Sequence, residues 1–399
     1  METNAVTQSS AASNVSSSRL DYVDIAKGIV IFCVVLSHTW FANTDILGDL
    51  LPYSMPVFFF LSGFTYRSGR SYWVNIRRRA IALLVPYILF NTVWNLLYPL
   101  YVYLSNMPAM QLSPWSALWF ASFRTDSYNM LMCTPMWFLV ALFTASVIFF
   151  AVIEWARKSL KNTIITVAVL VGVALVFDII KHGVMNSTEV WWWYWDLAPY
   201  AAALMVLGTW FGQKKLYAKL TRLNVVIGLA CLAGSLLLNV VFWGSARTSI
   251  VKYIEGYMWY GVLTGFVIAV LGTIGTICVA RLAQTVKPLR VVFSWMGRIS
   301  IWILCIHYTF IFLGEMWLYN HRIISVSIFD VVTQQLYSSE WFPIILHETP
   351  SDIIVKICLA LVSILVAGLY ALIHNKVKAA VKAKLAARKA SQAETTAAD

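Results

Sequence analysis

The sequence predicts an all-α fold, a polytopic transmembrane helix bundle of about ten spans with both termini in the cytoplasm. Three observations predict it. Hydrophobic residues fill 60% of the 399 positions and charged residues 12%, and the mean hydropathy is +0.72, too apolar for a water-soluble globule of this length. The apolar residues gather in stretches of roughly 17 to 25, the length needed to cross a hydrocarbon core. The cations gather in alternate connections between those stretches.

Taken in order, the opening METNAVTQSSAASNVSSS is small and polar, with Glu2 as its one charge. Residues 1–18 therefore read as a disordered tail, without the positive segment that precedes the apolar core of a secretory signal. Spans are expected at 25–42, 51–66, 81–103, 135–154, 162–180, 192–211, 223–243, 254–280, 299–319 and 352–373. The second is short, Asn91, Asn95 and Pro99 dilute the third, and the eighth is long enough to tilt or break. Residues 19–375 then form one transmembrane domain, followed by a basic and then polar cytoplasmic tail, 376–399. In that tail HNKVKAAVKAKLAARKA reads either as an anchor on anionic headgroups or as a solvated basic helix, ahead of a soft SQAETTAAD end.

Orientation follows from the cations. Arg67, Arg70, Arg77, Arg78 and Arg79 separate spans two and three; Arg157, Lys158 and Lys161 follow span four; Lys214, Lys215, Lys219 and Arg222 follow span six; Arg281, Lys287, Arg290 and Arg298 follow span eight. The alternate connections hold only Arg124, Lys181, Arg247, Lys252 and Arg322, so the Arg-rich loops and both termini are assigned to the cytoplasm. The net charge of +12 is thereby a topology signal, spread over four loops and a tail. It lacks the single basic face that a nucleic acid requires, so no nucleic-acid partner is expected. RSGRSYWVNIRRR is denser than orientation demands, and reads equally as a site for a phosphorylated ligand, which guanidinium forks match, or as an anchor.

The six cysteines suggest no disulfide scaffold, since Cys33, Cys231, Cys278, Cys305 and Cys358 lie in apolar runs and only Cys133 sits near a segment end. No Gly-rich phosphate loop, zinc spacing or serine nucleophile elbow appears, so neither metal chemistry nor nucleotide hydrolysis is expected, and no bound cofactor.

The chemistry concentrates in KGIVIFCVVLSH, where Lys27 and His38 are eleven residues apart in the first span. That is almost a whole number of helical turns, so both share a face, roughly 16 Å apart along the axis. A charged or polar side chain in hydrocarbon is costly enough to be a functional-site candidate. Singly, Lys27 could snorkel and His38 could make an interhelical hydrogen bond; together, on one face, they point to a site. His307, in LCIHYTF, is a second intramembrane imidazole, read either as site lining or as a packing hydrogen bond. Asp24 and Glu315 could each orient a histidine or pair with a cation. Pro56 and Gly63 bracket a short apolar helix that a cavity could interrupt. WWWYWD, Trp191 to Asp196, reads as an interfacial aromatic belt or as a platform for sugar faces.

RLDYVDIAKGIVIFCVVLSHTWF, YSMPVFFFLSGFTYR, the Arg-rich loop before LLVPYILF, PMWFLVALF and GRISIWILCIHYTFI occur in this order along residues 19 to 375. In that order and spacing they resemble the acyltransferase-3 family of membrane acyltransferases, and within it the bacterial sugar O-acetyltransferases related to fucose 4-O-acetylase. The resemblance implies a basic residue and a catalytic histidine in the first helix, here Lys27, where many members have Arg, and His38. It implies two arginines three apart that bind an acyl-CoA donor. Arg79 fits one, but the second position is Ala82, so either Arg77–Arg79 or the pair Arg67 and Arg70 fills the role. It further implies acetyl-CoA as donor substrate, a saccharide acceptor and the bilayer of a bacterial plasma membrane as setting. Possible lining of the site is expected from His307, Asp24, Glu315 and Trp137.

Moving an acetyl group from a thioester to a hydroxyl needs a base within hydrogen-bond reach of that hydroxyl, and neutral imidazole suits the task. The rival reading is a transporter of a small polar solute or lipid-linked glycan along Lys27, His38 and His307, although no internal repeat supports paired halves. Residues 320–350, a long outer segment, carry no compositional clue to function.

Overall fold

Apolar segments in a bilayer satisfy their backbone groups within themselves, and every described element is accordingly helical. The computed structural model describes residues 21–39, 53–97, 99–100, 103, 134–185, 191–214, 221–241, 261–325 and 349–398. In chain order these form α1 (Asp21–Ser37), α2 (Ser54–Phe64), α3 (Tyr72–Leu96), α4 (Trp137–Ala156), α5 (Leu160–Asp178), α6 (Ala198–Gln213), α7 (Arg222–Val241), α8 (Gly261–Ala283), α9 (Lys287–Arg298), α10 (Ser300–Asn320) and α11 (Pro350–Ala398). A 3₁₀ turn, Thr134–Met136, leads into α4, and a π-helical turn, Ile179–Val184, ends α5.

Among the described residues seven helices are long and apolar enough to cross a membrane: α3, α4, α5, α7, α8, α10 and α11. The other three expected spans coincide with α1, α2 and α6, of 17, 11 and 16 residues. At 1.5 Å per residue α2 reaches only about 17 Å, roughly half a hydrocarbon core. Its Pro56, Val57, Phe59, Phe60, Leu61 and Gly63 are buried, so it is wrapped by protein rather than lipid. α6 lies directly across it, and Thr209 Oγ1 donates to Gly63 O at 3.0 Å.

The sequence reading and the structure differ at three places. α3 begins at Tyr72, so Arg77, Arg78 and Arg79 sit on its first turns and not in a loop; Arg and Ala are good helix formers, and long cationic side chains leave the apolar zone by snorkelling. The cationic stretch before the ninth expected span contains a full helix, α9, amphipathic and too short to register as a span. α11 runs 49 residues without interruption, about 74 Å, carrying the basic 376–388 stretch as an exposed helical extension.

α9 presses backbone to backbone on α1. A Cβ on Gly28 would lie 1.9 Å from Phe293 O, and one on Gly297 would lie 1.8 Å from Asp24 O. Only glycine permits that approach, which seats the amphipathic helix against the end of α1 that bears Lys27. The core fills the space between α1, α2, α4, α6 and α10, with Phe59, Phe60, Phe149, Ile25 and Ile31 among its fully enclosed side chains.

Candidate active site

α1 ends at Ser37, and His38 and Thr39 follow in a tight turn in which His38 N donates to Val35 O and Thr39 N to Leu36 O. The turn delivers the partly buried His38 imidazole to α10, where His307 is fully buried. Helical i→i+4 geometry aims each ring back along its own helix: His38 Nδ1 lies 2.7 Å from Val34 O, and His307 Nδ1 lies 2.7 Å from Ile303 O. A carbonyl can only accept, so in the neutral rings both Nδ1 atoms carry the proton. His307 Nε2 then holds a lone pair, and it lies 3.2 Å from His38 Nδ1. The His38 Nδ1 proton is shared between Val34 O and His307 Nε2, which leaves the His38 lone pair on Nε2. The Tyr308 ring meets His38 edge-on, centroids 5.4 Å apart, and fixes its other side.

Toward the opposite end of α1 lies a cavity of about 160 Å³, bounded by α1, α2, α3, α4 and α10. Its polar residues share one end: Lys27, Ser62, Thr65, Arg79 and Ser300. Its other end is apolar, with Ile31, Met55, Phe58, Leu83, Phe138 and Leu304. Neither histidine borders the cavity, but Leu304 precedes His307 by three residues, one helical turn or about 4.5 Å. The imidazole pair thus stands just beyond the apolar end.

The arginines divide sharply. Arg79 borders the cavity, and its Nη2 donates to Ser62 Oγ across to α2. Arg67, Arg70, Arg77 and Arg78 are exposed outside it, as is Ala82. Lys27 stands with Arg79 in the cavity wall, its Nζ 3.9 Å from Asp24 Oδ1. Beside this mouth Tyr66 donates to Glu154 Oε1 at 2.6 Å, and Arg157 Nη1 lies 3.0 Å from Glu154 Oε2.

The other expected lining residues are not gathered at one point. Glu315 is fully buried on α10, eight residues past His307 and so about 12 Å along the helix. Trp137 is buried and packs on Tyr194 with centroids 5.1 Å apart; its neighbour Phe138 is the residue that borders the cavity. WWWYWD serves in part as interior: Tyr194 and Asp196 are buried, while Trp192 and Trp195 are exposed. Trp193 and Tyr194 take left-handed backbone, φ 56° and 59°, to turn inward.

Sequence reasoning missed two groups. Ser62, Thr65 and Ser300, small hydroxyls on the polar wall of the cavity, have no distinguishing pattern. Lys181 and Asp196 form a buried ion pair, Nζ to Oδ2 2.9 Å, with His182 Nε2 3.5 Å from Asp178 Oδ1 beside it. Lys181 at the end of an apolar run is the available signal, but in sequence it looks the same as a loop cation. Residues 326–348, most of the long outer segment, lie outside the described residues, as does Cys133.

A family model described as an acyltransferase domain, that of the acyltransferase-3 family, matches residues 20–372. No curated protein and no solved structure matches the chain. The family match takes in α1 with Lys27 and His38, the arginine-bearing start of α3, and α10 with His307. With that match running over most of its 399 residues, the chain belongs to the acyltransferase-3 family and is a multi-pass membrane acyltransferase.

Proposed function

We propose that the protein is an O-acetyltransferase of a bacterial plasma membrane that moves an acetyl group from acetyl-CoA to a hydroxyl of a cell-surface or lipid-linked saccharide. The observation that carries the reading is the geometry of the imidazole pair: each Nδ1 lies 2.7 Å from a backbone carbonyl, the tautomer in which a neutral His38 has its lone pair on Nε2. In the proposed step His38 Nε2 takes the proton of the acceptor hydroxyl as its oxygen attacks the thioester carbonyl carbon. The tetrahedral intermediate collapses with cleavage of the C–S bond, and the imidazolium returns its proton to the departing coenzyme A thiolate. A new ester, a thiol and a neutral imidazole result, so no cofactor beyond the donor substrate is needed.

The cavity supports the donor side of the reading. Its cationic end, Lys27 and Arg79, suits the phosphates of a cytosolic coenzyme A, and its apolar end suits the arm that carries the thioester. The order of motifs shared with sugar O-acetyltransferases supports a saccharide acceptor. Mass spectrometry of surface glycans from cells with and without the protein tests the reading: a mass difference of one acetyl group is expected, and identical glycan profiles would contradict it.

A further inference from the structure

Lys27 and Arg79 bring two positive charges to the polar end of the cavity, close enough for each to act on the other. Among the described residues Arg79 pairs with no carboxylate; its guanidinium donates to Ser62 Oγ. Lys27 has one carboxylate within ion-pair reach, that of Asp24, whose Oδ1 lies 3.9 Å from Nζ. Two cations against one carboxylate leave this wall positive, as a phosphate-bearing ligand requires.

Asp24 is placed to act by its charge and not by holding Lys27. At 3.9 Å the two share no hydrogen bond, so the ammonium keeps its donors for a ligand. Asp24 stands one turn before Lys27 on α1, about 4.5 Å nearer the start of the helix. α9 fixes that turn, since Gly297 packs against Asp24 O, and the charge of Arg298 acts on the carboxylate from the next position. A negative charge beside a phosphate site opposes the phosphate. Acetyl-CoA and the coenzyme A that leaves after transfer carry the same phosphates. A hold on those groups is uniform binding, which strengthens donor and product alike without speeding the transfer step. Too firm a hold retains the product, and product release sets kcat in many enzymes.

We propose that Asp24 limits the affinity of the donor site: its charge offsets that of Lys27 and weakens the hold on the phosphates, so that coenzyme A leaves after transfer. The proposal rests on the reading of this cavity as the acyl-CoA site. Asp21, the other acid in the first turn of α1, provides a comparison. It lies six residues from Lys27, about 9 Å along the helix and so about a Debye length away at 0.1 M salt.

Titration of acetyl-CoA and of coenzyme A into purified protein in detergent tests this without an identified acceptor. Asp24→Asn keeps the size of the side chain and removes its charge. It is expected to bind both ligands about two- to fivefold more tightly than the wild type, the range for one partly exposed ion pair, with the ratio between them unchanged. The gain should shrink as salt rises from about 0.1 to 1 M. Asp24→Glu, which restores the charge, should bind like the wild type, and Asp21→Asn should change the affinity by less than about 1.5-fold. Asp24→Ser stands in, with the same expectation, if the asparagine variant does not fold. An affinity unchanged or lowered in the folded, uncharged variants would overturn the assignment of Asp24 while leaving the donor site intact, the lowered case making it an orienting partner of Lys27. An equal gain in Asp24→Glu or Asp21→Asn would overturn it too. A wild type that binds neither ligand would overturn the donor-site reading itself, and the proposal with it.

Discussion

His307 Nε2 lies 3.2 Å from His38 Nδ1, joining residues 269 positions apart in the chain. The contact holds the His38 ring in one tautomer and one orientation. Replacing His307 with Ala removes that acceptor, and is expected to lower kcat for acetyl transfer by about 10 to 100-fold, the range typical for loss of an orienting partner. KM for acetyl-CoA should change little, because His307 does not border the cavity. Steady-state kinetics of the purified variant separates the two: a rise in KM at unchanged kcat would assign His307 to donor binding.

The arginines offer a sharper discrimination. Arg79→Ala is expected to weaken acetyl-CoA binding by about 1.5 to 3 kcal/mol, the contribution of a charge-assisted hydrogen bond. Arg77→Ala and Arg78→Ala, whose side chains are exposed outside the cavity, should change it by less than about 1 kcal/mol. Titration calorimetry on the three single variants checks this ranking. Equal losses at all three would indicate a diffuse electrostatic surface.

Gly28→Ala is expected to abolish or sharply reduce the yield of folded protein. Its added Cβ meets Phe293 O at 1.9 Å, a backbone atom that moves only if α1 and α9 separate. Gly172→Ala on α5, with nothing within 4 Å of the added carbon, is the control and should be neutral or stabilising by up to about 1 kcal/mol. Size-exclusion profiles in detergent report both.

Lys181→Met leaves the Asp196 carboxylate buried without its cation, and is expected to destabilise by about 3 to 5 kcal/mol. Combining it with Asp196→Leu should recover part of that loss, since a buried pair replaced whole costs far less than a buried pair broken. Thermal unfolding of the single and double variants provides the comparison.

The membrane helices were legible because their signal is local: a run of apolar residues of the right length needs no knowledge of neighbours. Lys27 and His38 were legible as ionisable side chains of one apolar segment, but their placement was not: α1 ends at Ser37, so His38 lies on the turn beyond the helical period, and of the two only Lys27 lines the cavity. His307 could be flagged as an intramembrane imidazole, yet its partner could not be named, because the contact depends on how α10 packs beside α1. Arg79 could not be told from Arg77 and Arg78, for all three share a stretch of sequence and only the position of α2 selects one. α9 was hidden because an amphipathic helix rich in Lys and Arg has the composition of a cytoplasmic loop. Its tell was Gly28 and Gly297, each meaningful only once the two helices are seen to touch.

The central claim is that His38 accepts the proton of the acceptor hydroxyl, and His38→Gln tests it most directly. Glutamine keeps a hydrogen-bonding group on the turn after α1 but takes no proton at neutral pH. The measurement is the rate at which labelled acetyl from acetyl-CoA enters the surface glycan in membranes holding equal amounts of wild type and variant. The account predicts a loss of about two to four orders of magnitude with donor binding retained. Acetylation by His38→Gln at the wild-type rate would contradict it.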